Sequence, residues 1–266
     1  MNQFVDGAVI LVTNPHRVGF LVAEKSFHKP IIGDLARATA CIPVSRPQDV
    51  ARQGPGRVKL SGIRLIGEGT QFTKIKSGEK IRVGRASEAF KLTSVESDTS
   101  ATIMTDESMP LNEPQDEWLN YDVFEFIDQS KMFDAAHTGL AKGQNLGIFP
   151  EGGSHDNTDL LPLKVGVAAI AFGTLEKYDV SVPIVPVGLN YFRGHRFRGR
   201  VVVEFGEPIY IDKNLFQRYR ESKREAYKTL LSQVSGLVMV LFRCDYYDIS
   251  YFFFFLSLRN HSYYLY

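Results

Sequence analysis

The stretch 146–159, LGIFPEGGSHDNTD, constrains the fold more than any other part of the chain. Leu146, Ile148 and Phe149 form a short apolar run, and Pro150 ends it because proline has no N–H to give a strand ladder. Glu151, Gly152, Gly153, Ser154 and His155 follow as a polar turn, in which the glycines allow positive φ or a close backbone approach. Residues 163–178, LKVGVAAIAFGTLEKY, then have the Ala, Ile and Leu content of a buried helix. A strand feeding a glycine turn and a helix is an α/β unit. Ligand groups in such units collect at the carboxyl ends of strands. The plain alternative is a strand-to-helix turn with solvated polar residues.

The run FPEGGSHDNTDLLPLKVG, residues 149–166, resembles the third motif of the glycerolipid acyltransferases. It is most similar to that of the fungal glycerol-3-phosphate or dihydroxyacetone-phosphate O-acyltransferases. Asn157 stands where those relatives carry arginine. Three further stretches fit the resemblance. Asn2-Gln3-Phe4-Val5-Asp6 matches the family's first motif, a histidine and an aspartate separated by four residues, and Met1 falls on the histidine position. Residues 42–49, IPVSRPQD, resemble the second motif, whose arginine binds the substrate phosphate. VPIVPVGL, residues 182–189, resembles the fourth, which helps shape the acyl-donor site.

The resemblance implies acyl transfer from acyl-CoA to the hydroxyl of glycerol-3-phosphate or dihydroxyacetone phosphate, early in glycerolipid synthesis. It implies catalytic roles for Asp6 and Glu151, and substrate binding by Arg46, Gly152, Gly153, Ser154, His155 and Lys164. Pro186 falls in the acyl-donor motif. No cofactor is expected beyond acyl-CoA as co-substrate. A membrane surface, on the cytosolic face of the endoplasmic reticulum, is the expected partner and location. With Met1 at the histidine position, the chain is expected to be truncated upstream and impaired in catalysis.

Composition narrows the alternatives. The 266 residues suffice for one substantial core and one subdomain, and the formal charge of +1 gives no basic footprint for nucleic acid. Cys41 and Cys244 fit neither a metal spacing nor a disulfide framework. The N-terminus has no signal-peptide pattern, and no apolar run reaches the ~20 residues of a membrane helix.

Along the chain, residues 18–23 and 41–44 read as strands. Residues 24–40 read as a helix broken near Lys29-Pro30, because the residue before proline avoids the α region. Residues 61–118 change texture: short alternating runs separated by Gly, Ser and Asp turns predict a β-rich insertion of four to six strands. Residues 121–127 alternate as a strand, and 130–142 read as a helix with His137 on its face. The expected fold is therefore a three-layer, mixed-sheet α/β acyltransferase domain over residues 1–60 and 119–212, interrupted by the insertion. Residues 213–235 read as one amphipathic helix capped by Asp212. Residues 236–266 have no period and an excess of Phe and Tyr, and are expected to lie outside the fold.

Acyl transfer from a thioester needs a base for the acceptor hydroxyl, a carboxylate to orient that base, a phosphate site and oxyanion donors. Arginine suits phosphate because its planar fork takes two oxygens. A binding or scaffold module that kept the phosphate pocket without the chemistry is the second reading. A hydrolase built on Ser154 and His155 fits poorly, since adjacent Ser and His are badly placed to pair and there is no G-x-S-x-G elbow.

Overall fold

The computed structural model describes residues 3–14, 16–76, 78–84, 89–104, 115–149, 163–192, 200–241 and 249–257. In chain order the first elements are α1 (Gln3–Thr13), β1 (Val18–Ala23), α2 (Glu24–Phe27), α3 (Ile32–Ala38) and β2 (Ile42–Val44). There follow β3 (Arg52–Gln53), β4 (Arg57–Ser61), β5 (Arg64–Glu68), β6 (Lys80–Val83), β7 (Phe90–Ser97), β8 (Ser100–Met104), β9 (Gln115–Leu119) and β10 (Tyr121–Phe124). The last part holds α4 (Ser130–Ala141), β11 (Asn145–Ile148), α5 (Gly166–Tyr178), β12 (Ile184–Phe192), β13 (Arg200–Phe205), α6 (Lys213–Glu221), α7 (Lys223–Leu241) and β14 (Ile249–Leu256). Two compact units result, Met1–Val44 with Gln129–Tyr266, and Ser45–Asp128.

The first unit is a mixed sheet in the order β13-β12-β14-β11-β1-β2. β1 is parallel to β2 and β11, while β14 is antiparallel to both β11 and β12. Hence β1, β2, β11 and β12 all point the same way. Side chains alternate across the sheet with period two, and both sides are apolar. Phe253 and Phe255 of β14 face one way, with Val18, Phe20, Val185, Val187 and Ile10 of α1. Phe254 and Leu256 face the other way, with Leu146, Ile148 and the buried stripes of α4, α5, α6 and α7. Helix, sheet and helices make the three layers expected of an α/β domain. A Cβ on Gly147 would stand 2.3 Å from the Phe253 ring and 2.8 Å from that of Phe20, so glycine there makes room for the aromatic packing.

The second unit is antiparallel, in the order β3-β10-β6-β7-β8-β5-β4-β9. Asn120 alone separates β9 from β10, and its carbonyl accepts the Gly84 N–H at 2.8 Å. One bent strand therefore joins the two flanks, and the sheet closes around Val58, Leu65, Phe72, Ile81, Ile103 and Tyr121.

Four expectations need correction. The β-rich unit has eight strands and spans Ser45–Asp128, rather than four to six strands over 61–118. Residues 121–124, assigned by sequence to the α/β domain, are β10 of this sheet. Their alternation is that of any half-buried strand and does not say which sheet they join. The single helix over 213–235 is two helices. Asp212 does cap the first, accepting the Leu215 N–H at 2.6 Å, but Ser222 is extended (φ −147°, ψ 102°) and separates α6 from α7, which runs on to Leu241. Finally, the described part of 236–266, residues 236–241 and 249–257, does not lie outside the fold. β14 sits between β11 and β12, and Phe253, Phe254, Phe255 and Leu256 have no exposed surface. The Phe run lacks alternation because it is buried on both faces.

Candidate active site

β1, β11 and β12 share a direction, so their carboxyl ends lie on one side; Ile148, which ends β11, is level with Pro186, and β12 runs on past it to Phe192. β11 delivers Phe149 on this side. Its ring lies 6.2 Å from Phe20, stacked, and 5.4 Å from Phe253, so the start of the FPEGG stretch is pinned to the face that α1 covers. Glu151, Gly152, Gly153, Ser154 and His155 themselves lie outside the described residues.

Asp6 sits in the first turn of α1 and is 3 % exposed. Its Oδ1 accepts a hydrogen bond from the Tyr191 hydroxyl at 2.6 Å. Tyr191 is the penultimate residue of β12, so this contact belongs to the carboxyl end of that strand, and Tyr191 shares the apolar cluster that Phe149 joins. Burial pushes the Asp6 carboxyl above the usual carboxylate range, opposed by the Tyr191 hydrogen bond. Among the described residues no Lys or Arg forms an ion pair with it.

The other expected residues are dispersed. Pro186 is buried inside β12, paired opposite Phe254, and its carbonyl accepts the Gly206 N–H at 2.7 Å. Lys164 is exposed two residues ahead of α5. Arg46 belongs to the β-rich unit, in the turn after β2. Its guanidinium forks onto Asp49, Nε–Oδ2 at 2.8 Å and Nη2–Oδ1 at 3.0 Å. A phosphate bound there would have to share or displace that carboxylate. His137 is a packed histidine. Its ring lies 6.1 Å from that of Phe133, and a Cβ on Gly173 would stand 2.5 Å from Nε2, so glycine on α5 admits the ring. Burial holds its pKa below the ordinary value, with Lys177 adding to the effect and Asp134 opposing it.

A cavity of about 510 Å³ lies at the other edge of the sheet. His16, Arg17, Thr39, Lys142, Gln144 and Asn145 line it at the amino ends of β1 and β11. The chemistry-bearing motif residues run from the carboxyl ends of the same strands, so this cavity is not the strand-end pocket that the sequence predicts.

Sequence reasoning missed Tyr191. The signal was Asn190-Tyr191 closing an otherwise apolar strand, since a polar pair there needs partners when buried. Asn190 Nδ2 donates to Glu204 at 2.8 Å, and Tyr191 holds Asp6. No group of His, Cys, Asp or Glu side chains among the described residues could hold a metal ion. No helix among them is long and apolar enough to cross a membrane.

Residues 122–190 match the acyltransferase family model, which defines an acyltransferase domain. The chain is 40 % identical to glycerol-3-phosphate O-acyltransferase 1 of Saccharomyces cerevisiae (strain ATCC 204508 / S288c), over 93 % of its own length and 34 % of the relative's. It is 36 % identical to an uncharacterized acyltransferase of Schizosaccharomyces pombe (strain 972 / ATCC 24843), over 88 % of this chain and 36 % of that one. Glycerol-3-phosphate O-acyltransferase 2 of the same S. cerevisiae strain is 29 % identical, again over 88 % of this chain and 36 % of the relative. The chain thus spans about a third of the length of these relatives. No solved structure matches. Residues 122–190 thus carry an acyltransferase-family match, within a chain similar over most of its length to fungal acyltransferases.

Proposed function

We propose that the α/β unit transfers a fatty acyl group from acyl-CoA to the hydroxyl of glycerol-3-phosphate or dihydroxyacetone phosphate, a step of glycerolipid synthesis. One observation carries this reading. Asp6, the aspartate of the first motif, is held by Tyr191 of β12, and Tyr191 shares one apolar cluster with Phe149 at the start of the FPEGG motif, although 143 positions separate Asp6 from Phe149. A buried ionisable group near the carboxyl ends of α/β strands is a candidate reactive group.

The chemistry follows from the roles. A base five residues before Asp6 takes the proton of the acceptor hydroxyl, and Asp6 orients that base and balances its positive charge. The oxygen attacks the thioester carbonyl, and the oxyanion collapses with loss of CoA thiolate, which takes up the proton. Gly152, Gly153, Ser154, His155 and Lys164 would hold the acceptor phosphate. Glu151 would fix the acceptor hydroxyls, and Pro186 would help shape the donor side. The substrates are lipid precursors, so a membrane surface, at the cytosolic face of the endoplasmic reticulum, is the setting this reading favours.

The base position carries Met1, whose thioether takes up no proton at neutral pH. The test compares this chain with one carrying Met1→His behind an upstream leader, assayed with acyl-CoA and glycerol-3-phosphate by release of free CoA. Turnover should rise by about 10²–10⁴-fold, the usual contribution of a general base. Equal turnover would put the base elsewhere, and transfer by neither chain would overturn the reading in favour of a binding module.

A further inference from the structure

We propose that Tyr191 is a positioning residue for acyl transfer: its hydroxyl clamps one oxygen of the Asp6 carboxylate and leaves the other to orient the base. The inference rests on the reading above, in which Asp6 serves the reaction.

Three observations carry it. The first is the bond itself. An O–H···O contact of 2.6 Å between Tyr191 and Asp6 Oδ1 lies in the short range of hydrogen bonds to ionised oxygens. Tyr191 is 7 % and Asp6 3 % exposed, so water competes weakly for either. The second is the rigidity of the anchor. Tyr191 lies inside β12 and is paired on both sides, with Val201 of β13 and Ile249 of β14. A hydroxyl fixed by two ladders sets the carboxylate position better than one on a loop. α1 packs on the sheet through Val9, Ile10 and Leu11, and the bond from Tyr191 to Asp6 ties the start of the helix to β12. The third is stoichiometry. An ionised carboxylate offers two acceptor oxygens. Tyr191 occupies Oδ1 and donates only one proton, so Oδ2 can take the N–H of a base.

A neutral donor suits this task where a cation would not. Lys or Arg beside Asp6 would neutralise the charge that must balance the protonated base. A phenol stabilises the carboxylate without cancelling it.

The test uses Tyr191→Phe, which removes the hydroxyl and keeps the ring in its cluster, alongside Asp6→Asn, whose amide oxygen still accepts the Tyr191 proton. The first readout is the titration of the Asp6 carboxyl, followed by carbon NMR in the chain as it stands. Tyr191→Phe should move it further towards higher pH, because the bond favouring the charged form is lost. An unmoved titration would overturn the clamp whatever the transfer assay gives. The second readout is CoA release by the Met1→His chain with its leader. Tyr191→Phe should lower kcat about 10-fold at unchanged KM for both substrates, the size expected of a hydrogen bond to a charged group. The rising limb of its pH–rate profile should move to higher pH along with the Asp6 titration. A lower Tm with kcat and pH profile unmoved would reduce Tyr191 to a structural tether. If Asp6→Asn leaves transfer unchanged, the role of Asp6 falls and this inference with it. If Asp6→Asn abolishes transfer and Tyr191→Phe does nothing, only the inference falls.

Discussion

Asp6 in the α/β unit and Glu79 in the β-rich unit are buried to nearly the same degree, 3 % and 5 % exposed, yet the two units treat their carboxylates in opposite ways. Glu79 is fully provided for. Arg52 Nη2 reaches both its oxygens, at 3.3 and 3.1 Å, and the Lys76 N–H adds a third bond at 2.9 Å. Asp6 has one neutral donor, Tyr191. A buried carboxylate with a cation and a backbone N–H closes a structural account. One left with a phenol keeps charge and an acceptor site in hand, at a cost in stability. The same burial therefore means anchorage in one sheet and reactivity in the other.

The largest effect should come from the last strand. Ending the chain after Leu241 removes β14, parts β11 from β12 and uncovers their apolar faces. Hydrogen exchange should then lose protection across β11 and β12 while β4 to β8 keep theirs. Retained protection in both sheets would contradict the central place of β14. Phe254→Ala and Phe72→Ala probe the two cores with one chemistry. Each ring is fully buried, and each change should cost about 3–5 kcal/mol in denaturant unfolding. A cost below ~1 kcal/mol at either site would show loose packing there.

Glu79→Gln bears on the comparison directly. It keeps the shape and removes the charge that Arg52 meets, and Arg52 is half exposed, so stability should fall by only about 1–2 kcal/mol. CoA release by the Met1→His chain should not change. A fall in transfer without loss of stability would remove the distinction between the two carboxylates.

The smallest effect concerns His137. Burial holds its folded pKa below the unfolded value, so the stability it contributes is present above pH ~6.5 and is lost as pH falls through the folded pKa. Lys177, Asp134 and Glu176 face it, and only the first favours the neutral ring. Tm should drop on acidification below that pH, and His137→Gln should flatten the drop. An unchanged slope would assign the acid sensitivity to other groups.

How far the sequence reached differs by region for physical reasons. β1, β2, β11, α4 and α5 were legible, because apolar runs bounded by Pro, Gly and polar turns specify them locally. The break before Ile32 was legible too, since Pro30 forbids a continuous helix. β14 was not, because a strand buried on both faces shows no alternation and FFFFL then reads as noise. Nor were the limits of the β-rich unit, because β10 alternates like any half-buried strand and joins its sheet through the bend at Asn120. At the site, Asp6 was legible as a motif residue, but its partner Tyr191 lies 185 positions away, and only folding of α1 onto β12 brings them together. Arg46 stands in the stretch that resembles the second motif, and its guanidinium fork closes locally on Asp49, three residues on. Pro186 was chosen for its motif and lies within the sheet ladder.

The most direct measurement pairs stability with transfer for Asp6→Asn. Burial raises the folded pKa of Asp6, so the stability it contributes is present at low pH and lost as pH rises through that value. At pH 7 its ionised form is therefore a burden on the fold. Asp6→Asn should leave Tm at pH 7 unchanged or higher, and should lower CoA release by the Met1→His chain at least ~10²-fold, as expected when a base loses its orienting charge. A lower Tm with transfer intact would contradict the account and make Asp6 a structural carboxylate like Glu79.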